Sequence, residues 1–215
     1  MLRGTRIETP LDAPTIHTAR LTLRPHRLTD ADAWYAIQRD PMVLEFLAWP
    51  RRTRAESFQH LKDRTRHTRL LQSNDLLALA IERDGRLIGD VSLHLRTVSA
   101  DVRSAEIGWL LGSAHTGEGI ATEAGDAMLD LAFGRLGAHR VYAVIDGRNH
   151  KSLALASRLG FAVTHHRDDG NFVLLVTPSL RRRPFPVALP AAPLPRTIAA
   201  DAPQHSPRLR QAPLR

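Results

Sequence analysis

Hydrophobic and polar positions change period several times along the chain, and each change marks an element. Leu21 and Leu23 alternate with Thr22 and Arg24 ahead of Pro25, the period-two pattern of a first strand. Thr29 precedes Asp30, Asp32 and the spaced apolar residues Ala33, Trp34 and Ile37, which predicts a helix with a hydroxyl cap and acids in its first turn. Asp40-Pro41 ends it, because a residue before proline avoids helical backbone. Residues 42–50 are apolar and aromatic. Thr53-Arg54-Ala55-Glu56 is a capping box that predicts a second helix through about Leu71, with Phe58, Leu61 and Thr65 on one face. Residues 76–81, 87–95 and 104–111 read as successive strands, the first two joined by a turn at Asp84-Gly85.

A helix is predicted over 119–136, burying Ile120, Ala124, Met128 and Leu131, with Gly137 as its stop. A buried strand over 140–145 follows. Asn149 caps a further helix, which Gly160 ends before Phe161, and strands over 161–166 and 171–176 close the domain around Asp168-Asp169-Gly170. Residues 1–17 show no sustained period and are expected as a mobile arm; residues 18–177 form the domain. From Pro178 onward nine of the fourteen prolines fall within 38 residues, so 178–215 is expected as a disordered Pro/Arg-rich tail.

Composition narrows the classes. The chain has no cysteine, which excludes a disulfide framework, a cysteine-ligated zinc site and a cysteine nucleophile. No apolar run is long enough for a bilayer and no signal-peptide core is visible, so a cytoplasmic protein without membrane association is expected. Of the formal charge of +8, the tail carries +6 and the rest of the chain +2, so the domain is nearly neutral. Lys62 and Lys151 stand against 28 arginines spread along the whole length, a bias of composition more than a phosphate-binding stripe. Docking of the tail on nucleic acid or the ribosome is therefore not expected, also because Phe185 is its one aromatic residue. The histidines show no metal-ligand spacing, and no metal is expected.

The chemistry concentrates in Glu106 to Ala124, EIGWLLGSAHTGEGIATEA: an apolar strand, a loop carrying Gly117 and Gly119, and the start of a helix. The first amides of a helix lack intrahelical partners and sit at the positive end of its dipole, so a loop free of bulky side chains there can hold a phosphate. Thr116-Gly117-Glu118-Gly119-Ile120-Ala121 resembles the pyrophosphate loop of the GNAT acetyltransferases, and Asn149-His150-Lys151-Ser152 running on to Leu159-Gly160-Phe161 resembles a later motif of the same superfamily. The similarity is closest to the Rim-type ribosomal-protein N-acetyltransferase branch. Two positions depart from it: Thr116 stands where Gln or Arg is common, and Ala156 where many relatives carry a tyrosine used as general acid.

The resemblance implies an α+β fold: a mixed, mostly antiparallel central sheet flanked by helices, with adjacent strands splayed to admit acetyl-CoA. It implies acetyl transfer from acetyl-CoA to a primary amine, a protein N-terminus or a small molecule, by direct attack in a ternary complex; the protein would be a monomer or a homodimer. Amides from Gly117, Glu118, Gly119, Ile120, Ala121 and Thr122 would hold the pyrophosphate. Trp109, Leu110 and Leu111 would present backbone groups to the pantetheine and thioester, and Asn149 would bond the pantetheine or the adjacent wall as well as cap its helix. Glu106 is the candidate proton acceptor, or else an acid that orders its neighbours. Ser152 is the candidate donor to the leaving thiolate, or only orients it. Phe46 and Trp49 pack in the core or line the acceptor pocket.

Two other classes remain at this point. Gly117-x-Gly119 with Asp146 also fits a nucleotide-binding turn and ribose acid, although three preceding strands without intervening helices do not suit a doubly wound fold. A non-catalytic acetyl-CoA sensor or scaffold also fits a chain that has Ala156 in place of the tyrosine.

Overall fold

The computed structural model describes residues 6–47 and 49–181. Its main sheet contains β2 (Ile16–His17), β3 (Thr22–Pro25), β5 (Leu76–Arg83), β6 (Arg86–Thr97), β7 (Ser104–Leu111), β8 (Arg140–Asp146), β9 (Ala162–His166) and β10 (Asn171–Val176), in the order β2-β3-β5-β6-β7-β8-β10-β9. All neighbours are antiparallel except β7 and β8, which are parallel and joined by a helical crossover. A two-stranded ribbon pairs β1 (Arg6–Asp12) with β4 (Arg69–Gln72).

Helices cover both faces. On one, α1 (Ala31–Gln38) and α3 (Arg54–Arg64), with the short α2 (Pro41–Leu44) beside them, bury Trp34, Ile37 and Leu61 against Ala80, Leu87 and Leu110. On the other, α4 (Ile120–Asp130) and α5 (His150–Arg158) bury Ile120, Ala124, Met128, Leu153 and Leu155 against Leu79, Val91 and Ile107. Covered on both faces, β5 and β6 are buried along most of their length; β5 accordingly reads as a continuous apolar run, whereas β6 also buries Asp90 and Ser92. The hairpin joining them turns at Asp84 and Gly85, both at positive φ, as a two-residue turn requires.

Three expectations are corrected. The mobile arm fails from Arg6 onward: Ile7 and Leu11 are buried in β1, and Ile16 joins the main sheet. Ile7 and Leu11 share a face, but the position between them on that face is the exposed Thr9, so too few apolar residues recur for a period-two signal. The helix expected to reach Leu71 ends at Arg64, and Leu70 and Leu71 belong to β4, whose partner lies about sixty residues earlier. The first helix is organised by Asp30, not a Thr29 cap: Asp30 accepts from the Arg27 N–H at 2.8 Å and from Arg24 at 2.7 and 2.9 Å.

After β10, residues Thr177 to Arg181 turn back onto the domain. Arg181 reaches α4, where it pairs with Asp126 at 2.6 Å and with Asp130, and Leu180 packs on the core. Gly160, at φ +87°, lies beneath this turn; a Cβ there would come within 3.0 Å of the Arg181 Cα. The expected tail therefore begins with four ordered residues, and from residue 182 it lies outside the described residues. No helix among the described residues is long and apolar enough to cross a membrane.

Candidate active site

The sheet opens where its one parallel pair parts. β7 and β8 are paired only from Ser104–Arg140 to Glu106–Tyr142. Beyond that point β7 stays with β6 as far as Leu111, and β8 stays with β10 as far as Asp146. The facing edges of Ile107 to Leu111 and Ala143 to Asp146 thus carry main-chain groups that no sheet partner takes, which a ligand inserted between them can use.

The opening leads into a cleft of about 940 Å3 lined by Trp109, Leu110, Leu111, Gly117, Gly119, Ile120, Ala121, Thr122, Asn149 and Ser152, all residues singled out from the sequence. Gly117 and Gly119 hold φ of +89° and +77°, backbone that an L side chain resists, and they bring the N-terminus of α4 to the cleft without a side chain in the way. Glu118 contributes no lining side chain. Its carboxylate turns out to Arg83, 2.5 Å away, which leaves only its main chain at the loop.

On the opposite wall, Asn149 caps α5 by accepting from the Ser152 N–H at 3.0 Å. This fixes the first turn of α5 and places the Ser152 hydroxyl against the Trp109 indole, whose Nε1 donates to Oγ at 3.2 Å. Trp109 is held in turn edge-to-face against Phe161, with ring centroids 6.4 Å apart. Core packing and site lining are thus combined in one residue.

Glu106 lies three residues before Trp109 and so projects from the other face of β7, the face on which Leu110 meets α1 and α3. Its side chain is about 20% exposed, at the point where the strands part. Arg96 donates twice to the same oxygen, Oε2, from Nη2 at 2.8 Å and Nε at 3.2 Å. Oε1 takes no part in that pairing. The face of Glu106 and the face of Ser152 are therefore separated by the strand along which the cleft runs.

Phe46 lines the cleft mouth, under the Arg148 guanidinium, 6.0 Å from its ring centroid. Trp49 does not line it; it packs edge-on to Trp34 and His60 beside Arg52, the core reading of that residue. The sequence reading missed Met42, Leu47, Arg148, Lys151 and Arg158 as lining residues. A signal was present: Lys151, Ala154, Leu155 and Arg158 recur at helical spacing on one face of α5, and that face is the cleft wall.

A parallel pair that splays beside a glycine loop at a helix N-terminus defines an acetyltransferase fold. Residues 20–162 match the acetyltransferase (GNAT) domain, and the chain belongs to the GNAT acetyltransferase family. The uncharacterized N-acetyltransferase p20 of Bacillus licheniformis is 27% identical over 68% of this chain and 82% of its own. The spermidine N(1)-acetyltransferase of Escherichia coli is 30% identical over 39% of this chain and 44% of its own length. Among solved structures, Mycobacterium smegmatis RimJ in complex with CoA-disulfide superposes with a TM-score of 0.66 at 24% identity, covering 81% of this chain and 92% of that one. The antiparallel meander ahead of the glycine loop removes the nucleotide-binding alternative, which needs alternating strands and helices.

Proposed function

We propose that this acetyltransferase binds acetyl-CoA along the β7–β8 opening and passes the acetyl group directly to a primary amine, a protein N-terminus or a small molecule, without a metal. The observation that carries this reading is the joining of three features in one cleft: unpaired strand edges, the Gly117 to Thr122 helix start, and the Trp109–Ser152 pair. The pyrophosphate sits on the α4 amides, and the pantetheine lies along Trp109, Leu110 and Leu111 and reaches Asn149.

The amine approaches from the Glu106 face. Its nitrogen forms a bond to the thioester carbon, and its proton passes to Glu106 Oε1, directly or through a water. Main-chain N–H groups of the opened β7 edge stabilise the developing oxyanion. The carbon–sulfur bond then breaks, and the Ser152 hydroxyl donates a hydrogen bond to the departing thiolate. With its oxygen already accepting from Trp109, that hydroxyl keeps its proton to give.

The RimJ structure holds CoA-disulfide and the spermidine N(1)-acetyltransferase is named for a small amine, so protein and small-molecule acceptors are tested together. Thiol release from acetyl-CoA is measured against N-terminal peptides, ribosomal proteins and polyamines. Turnover with one class is expected; tight acetyl-CoA binding with no thiol release from any amine would make the protein a sensor instead.

A further inference from the structure

The segment from Thr116 to Glu123, Thr-Gly-Glu-Gly-Ile-Ala-Thr-Glu, holds two carboxylates and no basic side chain. For a seat that is to take a pyrophosphate this composition is unfavourable, since like charges at such distances repel. Both carboxylates are turned away from the cleft, and each meets an arginine from elsewhere in the sheet. Arg83, at the end of β5, takes Glu118. Arg20, in the turn between β2 and β3, takes Glu123: its main-chain N–H donates to Oε1 at 2.8 Å and its Nε to Oε2 at 2.7 Å, while the Thr18 hydroxyl adds a bond of 2.5 Å to Oε1. These contacts hold the carboxyl of Glu123 below the usual carboxylate range against the opposing effect of burial.

Arg20 also acts on the loop backbone. Its Nη1 donates to the Glu118 carbonyl oxygen at 2.8 Å. The described peptides are all trans, and a trans peptide sets a C=O and the following N–H on opposite sides. Holding the Glu118 carbonyl outward therefore aims the Gly119 N–H inward, towards the cleft that Gly119 lines. Thr116 cannot supply this brace, because its hydroxyl is committed to the Ser113 carbonyl at 2.9 Å.

We propose that Arg20 is a positioning residue for the acetyl-CoA site: it pins the Glu118 carbonyl so that the loop amides converge, and it cancels the Glu123 charge behind them. This rests on the reading of the Gly117 to Thr122 loop as the pyrophosphate seat. Arg20→Ala is expected to raise the KM for acetyl-CoA about tenfold with kcat changed less than about threefold, and Arg20→Lys, which keeps the charge but not the fork, to recover about half of that loss on a logarithmic scale. Melting curves report the folded fraction of each variant. A lowered melting temperature with KM unchanged in the folded fraction would make Arg20 a structural tie and overturn the proposal, as would Lys and Ala variants that behave alike. Gly117→Val, at a glycine of φ +89° whose Cβ would meet nothing within 4 Å, run in parallel separates the two levels: if it also leaves binding intact, the loop reading itself fails; if it alone abolishes binding, only the role of Arg20 fails.

Discussion

The indole Nε1 of Trp109 donates to the Oγ of Ser152 across 3.2 Å, joining the middle of β7 to the first turn of α5 over the cleft. An oxygen that accepts from the indole has its own proton left for a third group, which is the direction the proposed role of Ser152 needs. Ser152→Ala is expected to lower kcat about tenfold with little change in the KM for acetyl-CoA, and Trp109→Phe, which keeps the packing on Phe161 but loses the donor, to lower it less. Steady-state kinetics of both variants checks this; an Ser152→Ala enzyme as fast as the parent would remove the serine from the reaction.

Glu106→Gln preserves shape and can still meet Arg96, but removes the basic oxygen. Turnover is expected to fall on the order of 10², with acetyl-CoA affinity nearly unchanged. Calorimetry and initial rates on the same preparation check it. Equal loss of affinity and rate would make Glu106 a structural acid.

The α1–α3 side of the core carries its own pH dependence. His60 stacks on Trp34 at an interplanar angle of 10°, and its Nδ1 lies 2.8 Å from Gln38 Nε2. Burial, with the Arg52 and Arg64 guanidinium groups adding to it, pushes its pKa down to about 3. In the unfolded chain a histidine titrates near 6.5, so the unfolded state binds more protons once the pH falls below that value. The contribution of His60 is complete above about pH 6.5 and is lost as the pH falls towards 3. His60 is expected to contribute about 1–2 kcal/mol to the difference between urea titrations at pH 7 and pH 5, and His60→Gln to narrow it by that much; His94, whose pKa burial pushes down to about 4, adds in the same direction. An equal pH dependence in the variant would assign the effect to other groups.

Deletion from Pro184 onward is expected to leave the fold and small-amine turnover unchanged, whereas deletion from Pro178 onward removes the clamp of Arg181 on Asp126 and Asp130 and costs about 1–2 kcal/mol. Thermal melts and turnover of the two truncations check this. Ribosome co-sedimentation at low and high salt checks the tail itself: a salt-sensitive loss on truncation would show that its arginines dock.

Local rules carried most of the elements. The Thr53–Glu56 capping box is present in both directions, the Asp84-Gly85 turn joins β5 to β6, and Asn149 caps α5. What stayed hidden depends on residues far apart in the chain. β1 exists because β4 lies beside it, and with only Ile7 and Leu11 buried along its seven residues it carries too little apolar pattern to be read alone. No glycine or proline stands between α3 and Leu70-Leu71 to stop the helix, so only the partner strand decides that they are extended. At the site, the glycine loop and the Asn149 block were legible because their chemistry is set by neighbouring residues. The bracing of that loop by Arg20, about a hundred positions away, was not. Trp49 shows the limit for aromatic residues, since the same composition serves a core and a pocket until neighbours are known.

Calorimetric titration of acetyl-CoA into the parent protein and Gly119→Val decides whether acetyl-CoA sits on the Gly117 to Thr122 loop. A Cβ at Gly119 has room, with its nearest contact 3.6 Å away at Arg20, so the substitution acts through its positive φ and the bulk it adds beside the α4 amides. The parent is expected to bind with Kd on the order of micromolar, about −7 to −8 kcal/mol, and the folded variant at least about tenfold more weakly. Unchanged affinity in a variant whose circular dichroism and melting curve show it folded would contradict the account.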